Sequence, residues 1–218
     1  MPTATDTRAR LLAAARRAFA DLGYARTRVE DVVARAGVGH GTFSAYFKNK
    51  RAALAALIHE NAATLVELAG QPWRPGDVRA SLVEVLGGLS DLYDRDADLI
   101  GLWTEASLQD PELGRVLDEV RRQFVSRIAR NIERAAAQGL TRPVDPWTAA
   151  TALAAMAEQT MFLRAVRKEP LDRDRAVETL ADLWLHALYR SRASSADSGE
   201  SPLPPEPPQK PGRPRPSA

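Results

Sequence analysis

Three glycines fall within five residues of the stretch GVGHGTFSAYFKNK, at Gly37, Gly39 and Gly41. Glycine at that density lets a backbone approach a phosphate closely, so nucleotide binding is the first chemistry to weigh. A Walker loop ends in Gly-Lys-Ser/Thr, and a dinucleotide fingerprint sits between a strand and a helix of a βαβ unit. Here no lysine directly follows Gly41, and the upstream stretch reads as a helix. The second chemistry is the reading of DNA. It needs a short helix, a glycine-containing turn, and a second helix whose N-terminal residues reach base edges. Residues 27 to 47 have that length and order.

Catalytic residues are in short supply. His40, His59 and His186 are far apart in sequence and form no H-E-x-x-H pattern. The chain has no cysteine, which excludes disulfides and thiolate chemistry and is compatible with a reducing cytosol. No G-x-S-x-G elbow occurs. Asp110 and Glu112 flank Pro111 at a helix boundary, where acids normally cap. The expectation is a protein that is not an enzyme, with no catalytic residue, metal or cofactor.

Composition points to helices. The 218 residues are 44% hydrophobic with 6% aromatics, and alanine, leucine and arginine dominate. Residues 1 to 60 carry ten Lys or Arg against five acids, although the whole chain is only +2. A basic front on a mildly acidic body suits a head that binds a polyanion. No signal-peptide core and no apolar run of membrane-spanning length is seen, so a cytoplasmic protein without membrane contact is expected.

Periodicity predicts about nine helices and no strand, an all-α fold. The first runs from Thr5 or Asp6 to a stop at Gly23. Thr27 is expected to cap the next, with Glu30 completing a capping box. A short helix fits between Gly39 and Phe47, and an apolar helix follows over residues 51 to 69. After the breaker QPWRPGD, helices are expected from Asp77, over 99 to 109, from Glu112 to Gly139, from Asp145-Pro146, and, following Pro170, over 172 to 190. The division expected is a three-helix head at 1–50, a helical body at 51–191, and a Pro/Ser-rich disordered tail at 192–218.

TRVEDVVARAGVGHGTFSAYFKNK resembles the signature of the TetR family, T-x-V-x-D-I-A-x-A-A-G-V-S followed by G-T-F-Y-x-Y-F-x-x-K. Thr27, Val29, Asp31, Ala36, Gly37, Val38, Gly41, Thr42, Phe43, Tyr46, Phe47 and Lys50 match. Val33 and Gly39 depart, and Ser44 stands where tyrosine is common. The resemblance implies a recognition helix whose buried side is Phe43 and Phe47. Thr42 and Tyr46 then offer hydroxyls, and Lys48 and Lys50 charge, to phosphates. His40, Gly41, Ser44 and Ala45 occupy the places from which the family reads bases, His40 suited to a purine edge and Ala45 to a thymine methyl. Arg26, Thr27 and Arg28 fall at the DNA backbone. Gly39 replaces a capping Ser or Thr, a weaker helix start.

In the body, Leu86, Leu89, Tyr93, Trp103, Phe124, Ile128, Phe162 and Trp184 recur on helix faces, where they either enclose an apolar cavity or fill a core. AEQTMFLRAVRKEPLDRDRAVETLADLWLHALYR is similar to the C-terminal part of the mycobacterial ethionamide-activation repressor branch, whose members enclose a hydrophobic tunnel. That resemblance places Phe124, Phe162 and Trp184 at tunnel positions, with Ala154 and Ala157 where the branch has asparagines. It also implies a homodimer through helices at 147–168 and 174–190. The function expected is a repressor that binds a palindromic double-stranded DNA operator and is released by a small hydrophobic effector. An activator or a ligand-independent regulator is the alternative within the family. A helical lipid carrier would share the apolar body but would have no need of TFSAYFKNK.

Overall fold

Helix-forming residues occupy almost all of residues 4–189, the part that the computed structural model describes; the tail read as disordered at 192–218 lies outside the described residues. Nine helices are present among them: α1 (Ala4–Leu22), α2 (Val29–Ala36), α3 (His40–Tyr46), α4 (Lys50–Gly70), α5 (Val78–Arg95), α6 (Ala97–Gln109), α7 (Pro111–Ala137), α8 (Pro146–Ala165) and α9 (Arg173–Leu188). No strand occurs among the described residues, only an isolated bridge between Thr141 and Tyr189.

The boundaries have local causes. Asp77, Asp110, Asp145 and Asp172 each precede a helix and accept a hydrogen bond from a backbone N–H of its first turn. Pro111 and Pro146 open α7 and α8, where a missing N–H costs nothing. Gly23 and Gly139 take φ of 75° and 70° just past α1 and α7, a region closed to most side chains. Asn131 is buried on α7, and its Nδ2 donates to the carbonyls of Ala69 and Gln71 at 3.1 and 3.0 Å, satisfying the end of α4.

Two apolar clusters organise the chain. One joins Leu11 and Phe19 of α1, Val32 of α2 and Phe43 of α3 to Leu54 and Ile58 of α4, Leu99 of α6 and Leu113 of α7. The other is built from the end of α4 with α5, the second half of α7, α8 and α9. The expected boundary at residues 50 and 51 therefore falls in the first turn of α4, and the core of the head continues across it. α4 is long and apolar enough to cross a membrane by length and hydropathy alone. It packs instead against α1, α5 and α7 as the shared helix of head and body.

α4 and α7 lie side by side and run in the same direction. Ala52 and Ala55 share a groove with Leu113 and Val116, and further along Ala62 and Val66 share one with Val120 and Gln123. The α6–α7 corner is thereby held next to the first turn of α4.

Candidate nucleic-acid interface

The reading unit is assembled from α2, the turn and α3. Gly37 closes α2 at φ 63° and ψ 40°, with its own N–H directed to Ala34 and that of Val38 to Val33. Arg10 of α1 donates from Nη2 to the Ala36 carbonyl at 2.7 Å, pinning the end of α2 to the head. α3 begins at Gly39, whose carbonyl accepts from Thr42 at 3.0 Å and Phe43 at 3.3 Å without any side-chain cap. The backbone at Gly39 is extended, φ −79° and ψ 159°, and a Cβ there meets open space. Gly39→Ser is therefore expected to stabilise the chain by about 0.5 kcal/mol, through a cap and a stiffer unfolded chain, measurable by urea titration.

α3 divides cleanly into two faces. Phe43 and Phe47 are 1% and 5% exposed, their rings 5.6 Å apart, so they anchor the helix as the sequence predicts. His40, Gly41, Ser44 and Ala45 are exposed together, the spacing of one helical face. Thr42 and Tyr46 flank that face half-buried. His40 Nε2 lies 3.8 Å from Glu30 Oε1 of α2. Lys48, just beyond α3, is exposed. Arg28 is exposed at the start of α2, and Arg26, also exposed, donates from Nε to the Leu22 carbonyl at 2.8 Å.

Two of the sequence-derived DNA contacts are corrected. Thr27 is 1% exposed, and its hydroxyl donates inward to the Gly23 carbonyl at 2.7 Å, with that of Ala18 at 3.2 Å. It neither faces DNA nor caps α2. The N-cap is Arg28, whose N–H donates to Asp31 Oδ2 at 2.8 Å, so Asp31 and not Glu30 supplies the reciprocal bond. Lys50 is the second correction. Its ammonium donates to the carbonyls of Tyr24, Ala25 and Thr27 at 2.8, 3.0 and 2.8 Å and sits 4.7 Å from the Tyr24 ring centroid. Its three protons are thus engaged in holding the α1–α2 link against α4, and burial lowers its pKa. Lys50→Met is expected to cost about 2 kcal/mol of stability while leaving the salt dependence of DNA binding unchanged.

The head is tied to the body by polar contacts that spacing did not announce. Arg51 of α4 donates from Nε to Asp110 at 2.6 Å and from Nη1 to Glu112 at 2.5 Å, and the Tyr24 hydroxyl lies 3.3 Å from Asp110. Burial alone would raise the pKa of Asp110, but the hydrogen bond from Arg51 and the Glu112 N–H together bring it below the ordinary carboxylate value. At the α5–α6 junction Asp96, 2% exposed, accepts from Arg16 of α1 at 2.7 Å, Asn61 of α4 at 2.5 Å and Arg95 at 2.9 Å. No sequence signal points to these partners, which lie as many as 80 residues apart.

The apolar residues singled out in the body separate into three groups. Leu86, Leu89, Phe124, Ile128 and Trp184 are at most 2% exposed and pack in one cluster, with Tyr93 at its edge. Trp103 is displaced from them, since α6 turns it toward the cluster of the head. Phe162 is half-buried on α8. Burial raises the pKa of the Tyr93 phenol strongly and, despite nearby Arg121, also raises that of Glu158. The Trp184 indole N–H is buried without an acceptor. No group of acids and histidines fit to hold a metal is present among the described residues.

Comparison with known proteins agrees with this architecture. Residues 11–57 match the model of bacterial regulatory proteins of the tetR family, and residues 83–190 match that of the C-terminal domain of the transcriptional regulator EthR. The HTH-type transcriptional regulator EthR of Mycolicibacterium smegmatis is 26% identical over 199 residues, covering 86% of this chain and 88% of the relative. SmeT, the repressor of the Stenotrophomonas maltophilia multidrug efflux pump SmeDEF, superposes with a TM-score of 0.70 at 26% identity over 90% of this chain and 97% of its own. The SmeT–triclosan complex gives a TM-score of 0.71 at 27% identity, covering 91% and 99%. Regulators of this kind bind DNA and are not enzymes, in keeping with the exposed face of α3. The chain belongs to the TetR family of bacterial transcriptional regulators, in the branch of EthR.

Proposed function

We propose that this regulator is a repressor that places α3 in the major groove of a palindromic operator, as a homodimer, and leaves it when a small, largely apolar effector binds the body. The observation that carries the reading is the face of His40, Gly41, Ser44 and Ala45, exposed over an aromatic anchor. A Cβ on Gly41 meets no protein atom within 4 Å. Internal packing therefore gives no reason for glycine there, whereas close approach to DNA does.

Support for the dimer comes from α8 and α9, where Trp147 and Leu183 are 49% and 50% exposed on a single chain, with Ala187 exposed one turn beyond Leu183. For the effector, the supporting facts are the SmeT–triclosan complex and the buried, unpartnered Trp184 N–H, which an oxygen of a bound compound can satisfy. Release then reflects the effector's differential affinity for two arrangements of the dimer.

The test separates reading from positioning. Tyr46→Phe is expected to weaken binding to any duplex alike, because it removes a phosphate contact, whereas His40→Ala is expected to change which bases are preferred. The reversed pattern in a binding selection from random duplexes contradicts the assignment.

A further inference from the structure

We propose that Arg115, on the first turns of α7, is a phosphate-binding residue, so that the body joins Lys48 of the head in one cationic track along the DNA backbone. The proposal rests on the DNA-binding reading above and goes beyond it, because the family signature assigns contacts only to the head.

Three observations place Arg115 there. Because α4 and α7 run in the same direction, the start of α7 lies at the end of the body nearest α3. Lys48, Asn49, Arg51 and Arg115 line one open groove of about 560 Å³, with Glu112 as its acid. Arg115 is also available. Its side chain is 75% exposed, and its contact is with Glu112, one turn away, at 3.6 Å. Such an exposed pair contributes little, and Glu112 is already engaged by Arg51 at 2.5 Å. Arg115 can leave Glu112 at small cost.

The charge has a purpose in this setting. Arg51 is committed to Asp110 and Glu112, and Lys50 to three carbonyls, so neither is free for a phosphate. Lys48 and Arg115 are the cations of this corner that remain, and a guanidinium can hold phosphate oxygens in a bidentate fork. Anchoring of the α6–α7 corner by Arg51 would then set where Arg115 meets the duplex.

The experiment is a salt titration of the full chain on a 30-base-pair duplex of arbitrary sequence, read by fluorescence anisotropy. Arg115→Gln is expected to reduce the slope of log affinity against log salt by about 0.9 for each bound protomer, with about an eightfold loss at 0.1 M salt. Lys48→Gln should do the same, and the double variant should add the two effects. Arg122→Gln, further along α7, is the control and should leave the slope unchanged. An unchanged slope for Arg115→Gln, or an equal drop for Arg122→Gln, overturns the proposal while DNA binding by the wild-type chain stands. A flat salt response of the wild-type chain overturns the DNA-binding reading itself. Arg115 is exposed, so matching melting curves of variant and parent will exclude loss of fold as the cause.

Discussion

Phe43→Ala is expected to cost about 4 kcal/mol and to abolish operator binding, because α3 keeps its shape by packing and Phe43 is the more deeply buried of its two anchors. The helix has seven residues and no side-chain cap. An isolated helix of that length is far from stable in water, so its order comes from packing. Phe43 is 1% exposed and packs against Phe47, their rings tilted by 49°, within the core shared with α1, α2 and α4. Truncation leaves a cavity the size of a phenyl ring beneath the exposed face of His40, Gly41, Ser44 and Ala45. Hydrogen exchange should show the amides of α2 and α3 losing protection while those of α8 and α9, in the other cluster, retain it. Retained affinity, or equal loss of protection in both clusters, would contradict this account of how the head is held.

Asp96→Ala is expected to have the second largest effect, about 3 kcal/mol of stability together with weakened DNA binding. The carboxylate is nearly inaccessible and joins Arg16 of α1, Asn61 of α4 and Arg95 at the corner from which α6 departs. Its removal orphans Asn61 and lets two arginines return to water, which keeps the loss at the lower end for a buried ion pair. The consequence for function is mechanical. The head is oriented on the body at Asp96 and at Asp110, and loss of one tie lets α1 sway while α3 remains folded. A double-mutant cycle with Arg16→Gln should give a coupling of at least about 1 kcal/mol, and additive losses would show that the pair carries no linkage. Asp96→Asn keeps an acceptor oxygen and is expected to lose less.

Local rules carried the sequence reading a long way. Aspartate before proline marked the start of α8, glycine the end of α1 and α7, and the Phe43–Phe47 spacing the anchored face of α3. What escaped it is tertiary. Thr27 has the right type for a cap, but the α1–α2 link folds the Gly23 carbonyl to within 2.7 Å of its hydroxyl, and Asp31 then caps from inside the helix. Lys50 reads as a free cation until three carbonyls from 23 to 26 residues earlier converge on it. Trp103 has the spacing of a body residue, yet α6 packs on the head side, and no periodicity distinguishes the two partners of an amphipathic helix. Filled core and cavity wall also share one pattern, so spacing alone assigns Leu86, Leu89, Phe124 and Ile128 to neither, although all four are buried in one cluster.

The central claim, sequence-specific reading of DNA by α3, is tested most directly by sequencing the fragments of its own genome that the protein retains. The expected result is one motif with two-fold symmetry, half-sites spaced to suit successive major grooves, and retention that collapses as salt rises from about 50 to 200 mM. The His40→Ala chain should retain fragments with altered bases at matching positions of both half-sites. Fragments without a shared motif, or retention indifferent to salt and to His40, would contradict it.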